Sequence, residues 1–161
     1  MSHQLTQLAG RIRVELVELE QVQDRIQAGW QRVQQTSDEY YLDGVALNLH
    51  SFYSGLERIF ELVASRVDGS LPAGENWHQL LLQQMTAEIP GIRPAVISGS
   101  ASNQLDEYRG FRHVVRNVYT FRFEPAKIQK LVDNVAVLFP QVQAELLAFA
   151  EFLEVRSSTN S

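Results

Sequence analysis

Residues 45–67, VALNLHSFYSGLERIFELVASRV, carry the apolar pattern that decides the fold. Their large apolar side chains recur at steps of three and four residues: Val45, Leu49, Phe52, Leu56, Phe60, Val63 and Val67. An α-helix turns by about 100° per residue, so this spacing places the whole set on one face. Ser37 or Asp38, just upstream, is a candidate helix cap. The segment therefore predicts a helix that is buried along one side.

The same spacing continues on both sides of this segment. Upstream, a first helix carries an apolar stripe from Leu5 to Val33. Downstream, a turn at residues 68–74 separates the second helix from a shorter third one, predicted from about Glu75 to Glu88. Three helices are thus expected in the first half of the chain.

Two further helices are expected after a small-residue loop at residues 94–102, which we predict to be mobile. The fourth helix is predicted to run from about Ser102 to Arg122. Pro125 suits the first turn of a fifth helix. Pro140 lies inside that helix and is expected to kink or divide it, because proline lacks the backbone N–H that a helix interior uses.

No alternating apolar and polar pattern, of the kind that marks β-hairpins, interrupts these stripes. The expected fold class is therefore all-α, an up-and-down bundle of about five helices. We expect residues 1–155 to form a single helical domain, since a chain of 161 residues suffices for one core. Residues 156–161 are expected to be a frayed tail.

Composition narrows the class of function. The chain carries a net charge of -5, which argues against a protein that coats nucleic acid indiscriminately. It contains no cysteine, so disulfides and thiolate metal sites are excluded, in agreement with a cytoplasmic location. No secretory signal and no apolar run long enough to span a bilayer are expected, so we predict no membrane association.

One segment departs from the acidic balance: residues 108–122, YRGFRHVVRNVYTFR, which contain four arginines and no acid. On a continuous helix Arg112, Arg116 and Tyr119 would lie within about 40° of one line. His113 and Asn117 would form the neighbouring ridge, with Arg109 above both rows. The opposite face is apolar and available for packing. Such a face predicts a local anion site, and RNA phosphate is the anion that we favour.

This segment resembles the signature of the HEPN superfamily and, within it, the HepT-like toxins. That signature is an arginine followed by a polar residue, a histidine four to six residues on, and often a tyrosine two residues later. Arg112, His113 and Tyr119 fit it. The segments at residues 47–57 and 75–85 are also similar to blocks of the HepT-like group, so the resemblance covers most of the chain after about residue 40.

The resemblance implies a metal-independent endoribonuclease that uses no cofactor and is active as a homodimer whose two motif helices meet. In the implied mechanism the ribose 2′-hydroxyl attacks the adjacent phosphate, and arginine stabilises the charge that develops. It also implies a partner, an MNT-type nucleotidyltransferase antitoxin, which can add AMP to the motif tyrosine, here Tyr119.

The chain departs from the family pattern at one decisive position, because Asn117 stands where the histidine is expected. An amide cannot transfer a proton near neutral pH, although it can bind a phosphate oxygen. His113 or Tyr119 is a candidate replacement, or the site binds RNA without cutting it. The catalytic set predicted on this basis is Arg112, Asn117, His113 and Tyr119, and the RNA-binding set is Arg109, Arg116 and Arg122.

Three functions of different classes follow. The leading one is a HepT-like ribonuclease toxin. The second is a catalytically silent HEPN module that binds a nucleotidyltransferase or RNA. The third is a purely structural helical dimer, which would require acids from elsewhere in the fold to pair with Arg109, Arg112 and Arg116.

The remaining histidines and acids favour ordinary structural roles. His50 and His78, each beside a large apolar or aromatic residue, are interpreted as packed or interface histidines. Asp106 and Glu107 are interpreted as acids near a helix start, where they favour the helix dipole. No set of side chains has the convergent spacing of a metal site, so none is predicted.

Overall fold

A computed structural model describes residues 2–159, which form five α-helices. These are α1 Ser2–Gln35, α2 Tyr40–Val63, α3 Trp77–Thr86, α4 Gly99–Asn117 and α5 Pro125–Thr159. A π-helical turn, Ala64–Asp68, extends α2, and a short 3-10 turn, Thr120–Arg122, precedes α5. Among these residues there is no β-strand. The predicted all-α bundle is confirmed.

The long helices α1, α2 and α5 form the frame of the bundle. α1 packs mainly on α5 and α2. α1 and α5 run antiparallel, since Arg13 bonds to Glu154 whereas Gln27 donates to the Val132 carbonyl. α1 and α2 approach closely at Gly55, where an added Cβ would lie 2.7 Å from Leu19 Cδ2. The apolar stripe that predicted α2 is buried in the centre of this frame.

The N-cap residue of α2 is Glu39, one residue after the predicted Asp38, and its side chain makes no capping hydrogen bond. The Asp38 carboxylate accepts a hydrogen bond of 3.0 Å from the Tyr40 backbone N–H. It therefore satisfies one of the donors that the first turn of a helix leaves free.

The loop between α3 and α4 is held by a buried ion pair. Arg93 bonds to Asp68 through Nε at 2.6 Å and Nη2 at 2.7 Å, and it also donates to the carbonyls of Ala87, Pro94 and Gln84. Its side chain is 0% exposed and that of Asp68 is 2% exposed. The pair joins the end of the α2 extension to the turn that leads into α4.

The segment predicted as a mobile loop at residues 94–102 is short and anchored. Val96 and Ile97 are buried, and the Val96 N–H donates to the Met85 carbonyl at 2.8 Å. Ser98 caps α4 by accepting from the Ala101 N–H, and its own N–H donates to Glu145 on α5. α4 therefore starts at Gly99, earlier than the predicted Ser102.

The predicted end of α4 is wrong. The helix stops at Asn117, not at Arg122, and Val118 takes an extended conformation with φ -123° and ψ 139°. Val118 and Thr120 are β-branched and Tyr119 is aromatic, so all three are weak helix formers. Pro125 also disfavours helical backbone in the residue before it. The prediction of a longer helix rested on apolar spacing, which does not reflect these local backbone preferences.

α5 is one helix from Pro125 to Thr159, so Pro140 does not divide it, and the alternative, a kink at Pro140, stays a prediction. Its packing against α1 holds both halves together. Residues 156–159, predicted as part of a frayed tail, are helical, and Arg156 donates to the carbonyls of Ile92 and Gly91. Asn160 and Ser161, the rest of that tail, lie outside the described residues.

Within residues 2–159, α5 alone is long and apolar enough to cross a membrane by length and composition. The sequence had predicted no such segment. Core helices of soluble proteins also meet this criterion. The buried residues of α5, from Ile128 to Leu153, form part of the common core.

Candidate functional site: a cationic cleft between α3 and α4

The first half of α4 is fixed in the core and so positions the second half. Tyr108 is buried, its hydroxyl donates to the Leu131 carbonyl at 2.7 Å, and its ring packs edge-on against Phe52 at 5.6 Å. Leu105 is also fully buried. From Arg109 onward the helix is only partly covered, so its polar side chains face a cleft.

This cleft lies between the second half of α4 and the start of α3 and has a volume of about 470 Å³. The lining side chains carry most of the chemistry expected from the sequence, together with one histidine and one acid from outside α4. They are Glu75, His78, Arg109, Arg112, His113, Arg116 and Asn117. We refer to this set as the cationic cleft.

Arg112 and Arg116 have no ion-pair partner among the described residues. The Nε atom of Arg112 is buried and has no hydrogen-bond partner there. Arg109 differs, because its Nε donates to Asp106 on the same helix at 2.6 Å. Asp106 therefore pairs with an arginine; it lies beyond the first turn of α4, so the interpretation as a helix-start acid is wrong.

His113 and Asn117 contact each other one helical turn apart. The Asn117 amide nitrogen donates to the His113 carbonyl at 2.8 Å and lies 3.2 Å from His113 Nδ1. Both side chains are exposed and line the cationic cleft. The ridge predicted from the sequence is therefore present.

Tyr119 and Arg122 do not line the cationic cleft. The predicted alignment of Tyr119 with Arg112 and Arg116 is wrong, because the helix ends before it. Tyr119 is 77% exposed and stacks on Phe121, with ring centroids 5.7 Å apart. The Arg122 guanidinium lies over the other aromatic ring of this pair, 5.4 Å from the Phe121 centroid.

His78 and Glu57 form a pair that the sequence interpretation missed. Nδ1 of His78 lies 2.8 Å from the Glu57 carboxylate, and the two side chains are 24% and 7% exposed. The imidazole also lies against the Trp77 ring at an interplanar angle of 30°, with ring centroids 3.7 Å apart. The only signal in the sequence was an acid, Glu57, within the apolar stripe of α2; its partner is far along the chain on α3, so spacing could not reveal the pair.

Burial and the charges of this region shift the pKa values of the surrounding ionisable groups. Burial, followed by the charges of Arg112 and Arg116, lowers the pKa of His50 below its ordinary value. Burial and the Glu57 charge raise the pKa of Glu61. The pKa of Tyr53 is also raised, chiefly by burial and then by the nearby Glu57 carboxylate.

A second cleft, of about 530 Å³, lies between the start of α2 and the 3-10 turn. Asp38, Glu39 and Asp43 contribute to its lining, and it holds no arginine. Phosphate would meet like charge there, so the larger cleft is a poor site for nucleic acid. Residues 2–159 contain no group of three or more His, Asp or Glu side chains arranged to hold a metal ion.

The fold and this cleft define an all-helical protein with a cationic cleft beside its fourth helix. A family model described as HepT-like protein matches residues 44–153, more than half of the chain. The chain therefore belongs to the HepT-like family, as the motif and the flanking blocks predicted. No curated protein and no solved structure matches it.

Proposed function

We propose that this protein is the toxin subunit of a cytoplasmic toxin–antitoxin pair and acts as a metal-independent endoribonuclease. The observation that carries the proposal is the presence of two arginines without acidic partners, Arg112 and Arg116, in a cleft of about 470 Å³. Guanidinium groups bind phosphate oxygens through fixed pairs of donors. An acidic protein that keeps these donors free has a focused site for a polyanion.

In this function Arg112 and Arg116 hold the scissile phosphate and stabilise the charge that develops on its oxygens. Arg112 lines the cleft and has no carboxylate within ion-pair distance among the described residues, which supports this role. Asn117 and His113 together occupy the place of the family histidine, and Arg109 contributes a further charge to the rim.

The third function inferred from the sequence, a purely structural dimer, is not supported. It required acids to pair with all three arginines of the cleft. Only Arg109 has such a partner among residues 2–159. Two guanidinium groups left without ion pairs are better suited to a ligand than to a structural role.

The proposed active form is a homodimer in which the α4 helices of two copies lie together. Apolar side chains at and just beyond the end of α4 support this arrangement, since they are exposed in the single chain: Val114, Val118, Tyr119 and Phe121. The proposed partner is an MNT-type nucleotidyltransferase antitoxin. Tyr119, exposed beyond the end of α4, is the proposed acceptor for AMP.

One observation favours a second candidate, a silent HEPN module that binds RNA or the antitoxin without cleavage. Asn117 donates to the His113 carbonyl and cannot transfer a proton near neutral pH. Cleavage therefore decides between the two functions.

The test is single-turnover cleavage of a mixed tRNA and mRNA pool in EDTA, comparing wild type with Arg112→Ala and Asn117→His. We expect wild type to cleave and Arg112→Ala to lose about 10²-fold or more of the rate, as when one oxyanion donor is removed. Arg11→Ala is the matched control, because Arg11 is exposed on α1 and does not line the cleft.

Two results would contradict the ribonuclease. If Arg112→Ala cleaves as fast as wild type, the observed nuclease does not use this cleft. If wild type is inactive and Asn117→His gains activity, the cleft is intact but the natural protein is the silent binding module.

A further inference from the structure

The His78 imidazole is held more firmly than any other histidine side chain among residues 3–159. Its Nδ1 meets the buried Glu57 carboxylate at 2.8 Å, and its ring lies against Trp77. His50 has no such carboxylate partner there, and His113 is exposed. A fixed imidazole on the wall of a cleft that also holds unpaired arginines is suited to proton transfer.

We propose that His78 is the general base of the cationic cleft and that Glu57 is its positioning residue. This inference rests on the proposed ribonuclease function and assigns to α3 the proton-transfer role that Asn117 cannot fill. His78 lies outside the motif helix, and the dyad joins α2 and α3.

The hydrogen bond to Glu57 determines which nitrogen of His78 acts. An ionised carboxylate can only accept, so Nδ1 must donate the hydrogen in this 2.8 Å contact. In the neutral imidazole the lone pair then lies on Nε2, the nitrogen that the contact leaves free. This is the tautomer that a general base requires.

The contacts of His113 with Asn117 point to the opposite tautomer for this histidine in the same cleft. The Asn117 Nδ2 atom donates to the His113 carbonyl, which can only accept, so the orientation of the amide is fixed. Nδ2 therefore also faces His113 Nδ1, at 3.2 Å, and Nδ1 accepts. The hydrogen of the neutral ring is then on Nε2, so His113 is a hydrogen-bond donor rather than a base.

The proposed step balances in atoms and protons. His78 Nε2 takes the proton of the ribose 2′-hydroxyl as the O2′–P bond forms and the P–O5′ bond breaks. The departing 5′-oxygen takes a proton from water, and the hydroxide that results takes the proton from His78. The products are a 2′,3′-cyclic phosphate and a 5′-hydroxyl. Arg112 and Arg116 stabilise the phosphoryl oxygens throughout.

The experiment measures two quantities for wild type, His78→Ala, His78→Asn and Glu57→Gln. One is the single-turnover cleavage rate at saturating protein in EDTA. The other is the Kd for an RNA of the same sequence with 2′-O-methyl groups, which cannot be cleaved. Circular dichroism and thermal unfolding check that each variant is folded, and His3→Ala, a histidine outside the cleft, is the matched control.

We expect both His78 variants to lose about 10²- to 10⁴-fold of the cleavage rate, the usual contribution of a general base. The Kd for the 2′-O-methyl RNA should change little, since the arginines that bind phosphate remain. Glu57→Gln should reduce the rate less, and adding it to His78→Ala should cause no further loss, because the two residues act as one unit.

A readout independent of activity addresses the positioning role of Glu57. Two-bond ¹H–¹⁵N correlation spectra distinguish the tautomers of an imidazole. Wild type should show His78 protonated on Nδ1 in its neutral form, and Glu57→Gln should reduce the share of that tautomer. The same tautomer mixture in both proteins would contradict the positioning role.

The two proposals fail in distinguishable ways. If Arg112→Ala is inactive while the His78 variants cleave at the wild-type rate, the nuclease function stands and the base is not His78. If His50→Ala abolishes cleavage while the His78 variants retain it, the base belongs to α2 instead. If wild type itself does not cleave RNA, the ribonuclease function fails, and the base role fails with it.

Discussion

Arg112 shows at the scale of a single residue why the cleft is suited to an anion. Its Nε is buried and has no hydrogen-bond partner in the described chain, and no carboxylate lies within ion-pair distance of the guanidinium. Buried donors are nearly always bonded in folded proteins, because leaving one without a partner costs about 1–3 kcal/mol. Arg112 therefore keeps one unsatisfied donor inside the fold, and its charge has no carboxylate partner on the wall of the cleft.

The pKa of His50 depends in part on the positive charge of the cleft. Burial, then Arg112 and Arg116, lower its pKa from the ordinary value of 6.5, so the folded protein favours the neutral imidazole. Removing one charge in Arg112→Ala should raise the pKa of His50 toward that value. An NMR titration of the His50 ring measures it, with Arg122→Ala as the matched loss of one positive charge. An unchanged His50 pKa in Arg112→Ala would contradict the described electrostatics.

The lowered pKa of His50 also makes the free energy of unfolding depend on pH. Because the folded pKa of His50 is depressed, the unfolded chain takes up a proton first as pH falls through about 6.5. The free energy of unfolding should therefore decrease below that pH. His50→Gln should weaken this decrease at low pH. Above pH 7 the titration of His50 should have little effect on the free energy of unfolding.

Part of the site could be predicted at this scale and part could not. Arg112, Arg116, His113 and Asn117 were identified because one helix carries them, and helical spacing is visible in the sequence. The pairing of His78 with Glu57 depends on how α3 packs against α2, which no local pattern reports. The sequence analysis interpreted His78 as a packed histidine. Its ring does pack against Trp77, but the interpretation did not include the pair with Glu57.

At the scale of the elements, the end of α4 is the feature that most changes the site. The apolar period of the sequence continues past Asn117, but β-branched and aromatic residues favour extended backbone there. The sequence therefore predicted that α4 exists, but it did not predict where α4 ends. Tyr119 therefore does not lie in line with Arg112 and Arg116, and it is exposed beside Phe121.

The loop before α4 depends on the buried pair of Arg93 and Asp68. Asp68→Ala would leave a guanidinium with 0% exposure uncompensated. Breaking such a pair typically costs about 3–5 kcal/mol. We expect urea unfolding to show a loss of this size for Asp68→Ala.

The matched control is the exposed ion pair between Arg13 and Glu154, whose side chains are 40% and 43% exposed. Glu154→Ala should reduce the free energy of unfolding by less than about 1 kcal/mol. An equally small loss for Asp68→Ala would mean that the loop does not need the pair.

At the scale of the whole molecule, charge is distributed unevenly over an acidic protein. The cationic cleft lies beside α3, whereas the larger cleft near the start of α2 is lined by Asp38, Glu39 and Asp43. In the proposed function, RNA would be attracted to the cationic cleft and repelled by the acidic one, and this difference would favour one orientation of a bound strand.

The proposed homodimer is tested by a charge placed on its expected interface. Val118 is 37% exposed at the end of α4, and Val118→Glu should convert a dimer into a monomer because it buries an unpaired carboxylate. Light scattering coupled to size-exclusion chromatography measures the mass. Val137→Glu, on the exposed side of α5, is the matched control and should leave the mass unchanged. A wild-type monomer at micromolar concentration would contradict the arrangement.

The antiparallel pairing of α1 with α5 has a consequence for the order of folding. Arg13 meets Glu154, a separation of 141 residues along the chain. Contacts between such distant segments form late, because the entropy of closing the intervening loop must be overcome first. The side of α1 that packs on α5 therefore stays exposed to water until α5 has emerged, whereas its contacts with α2 can form earlier.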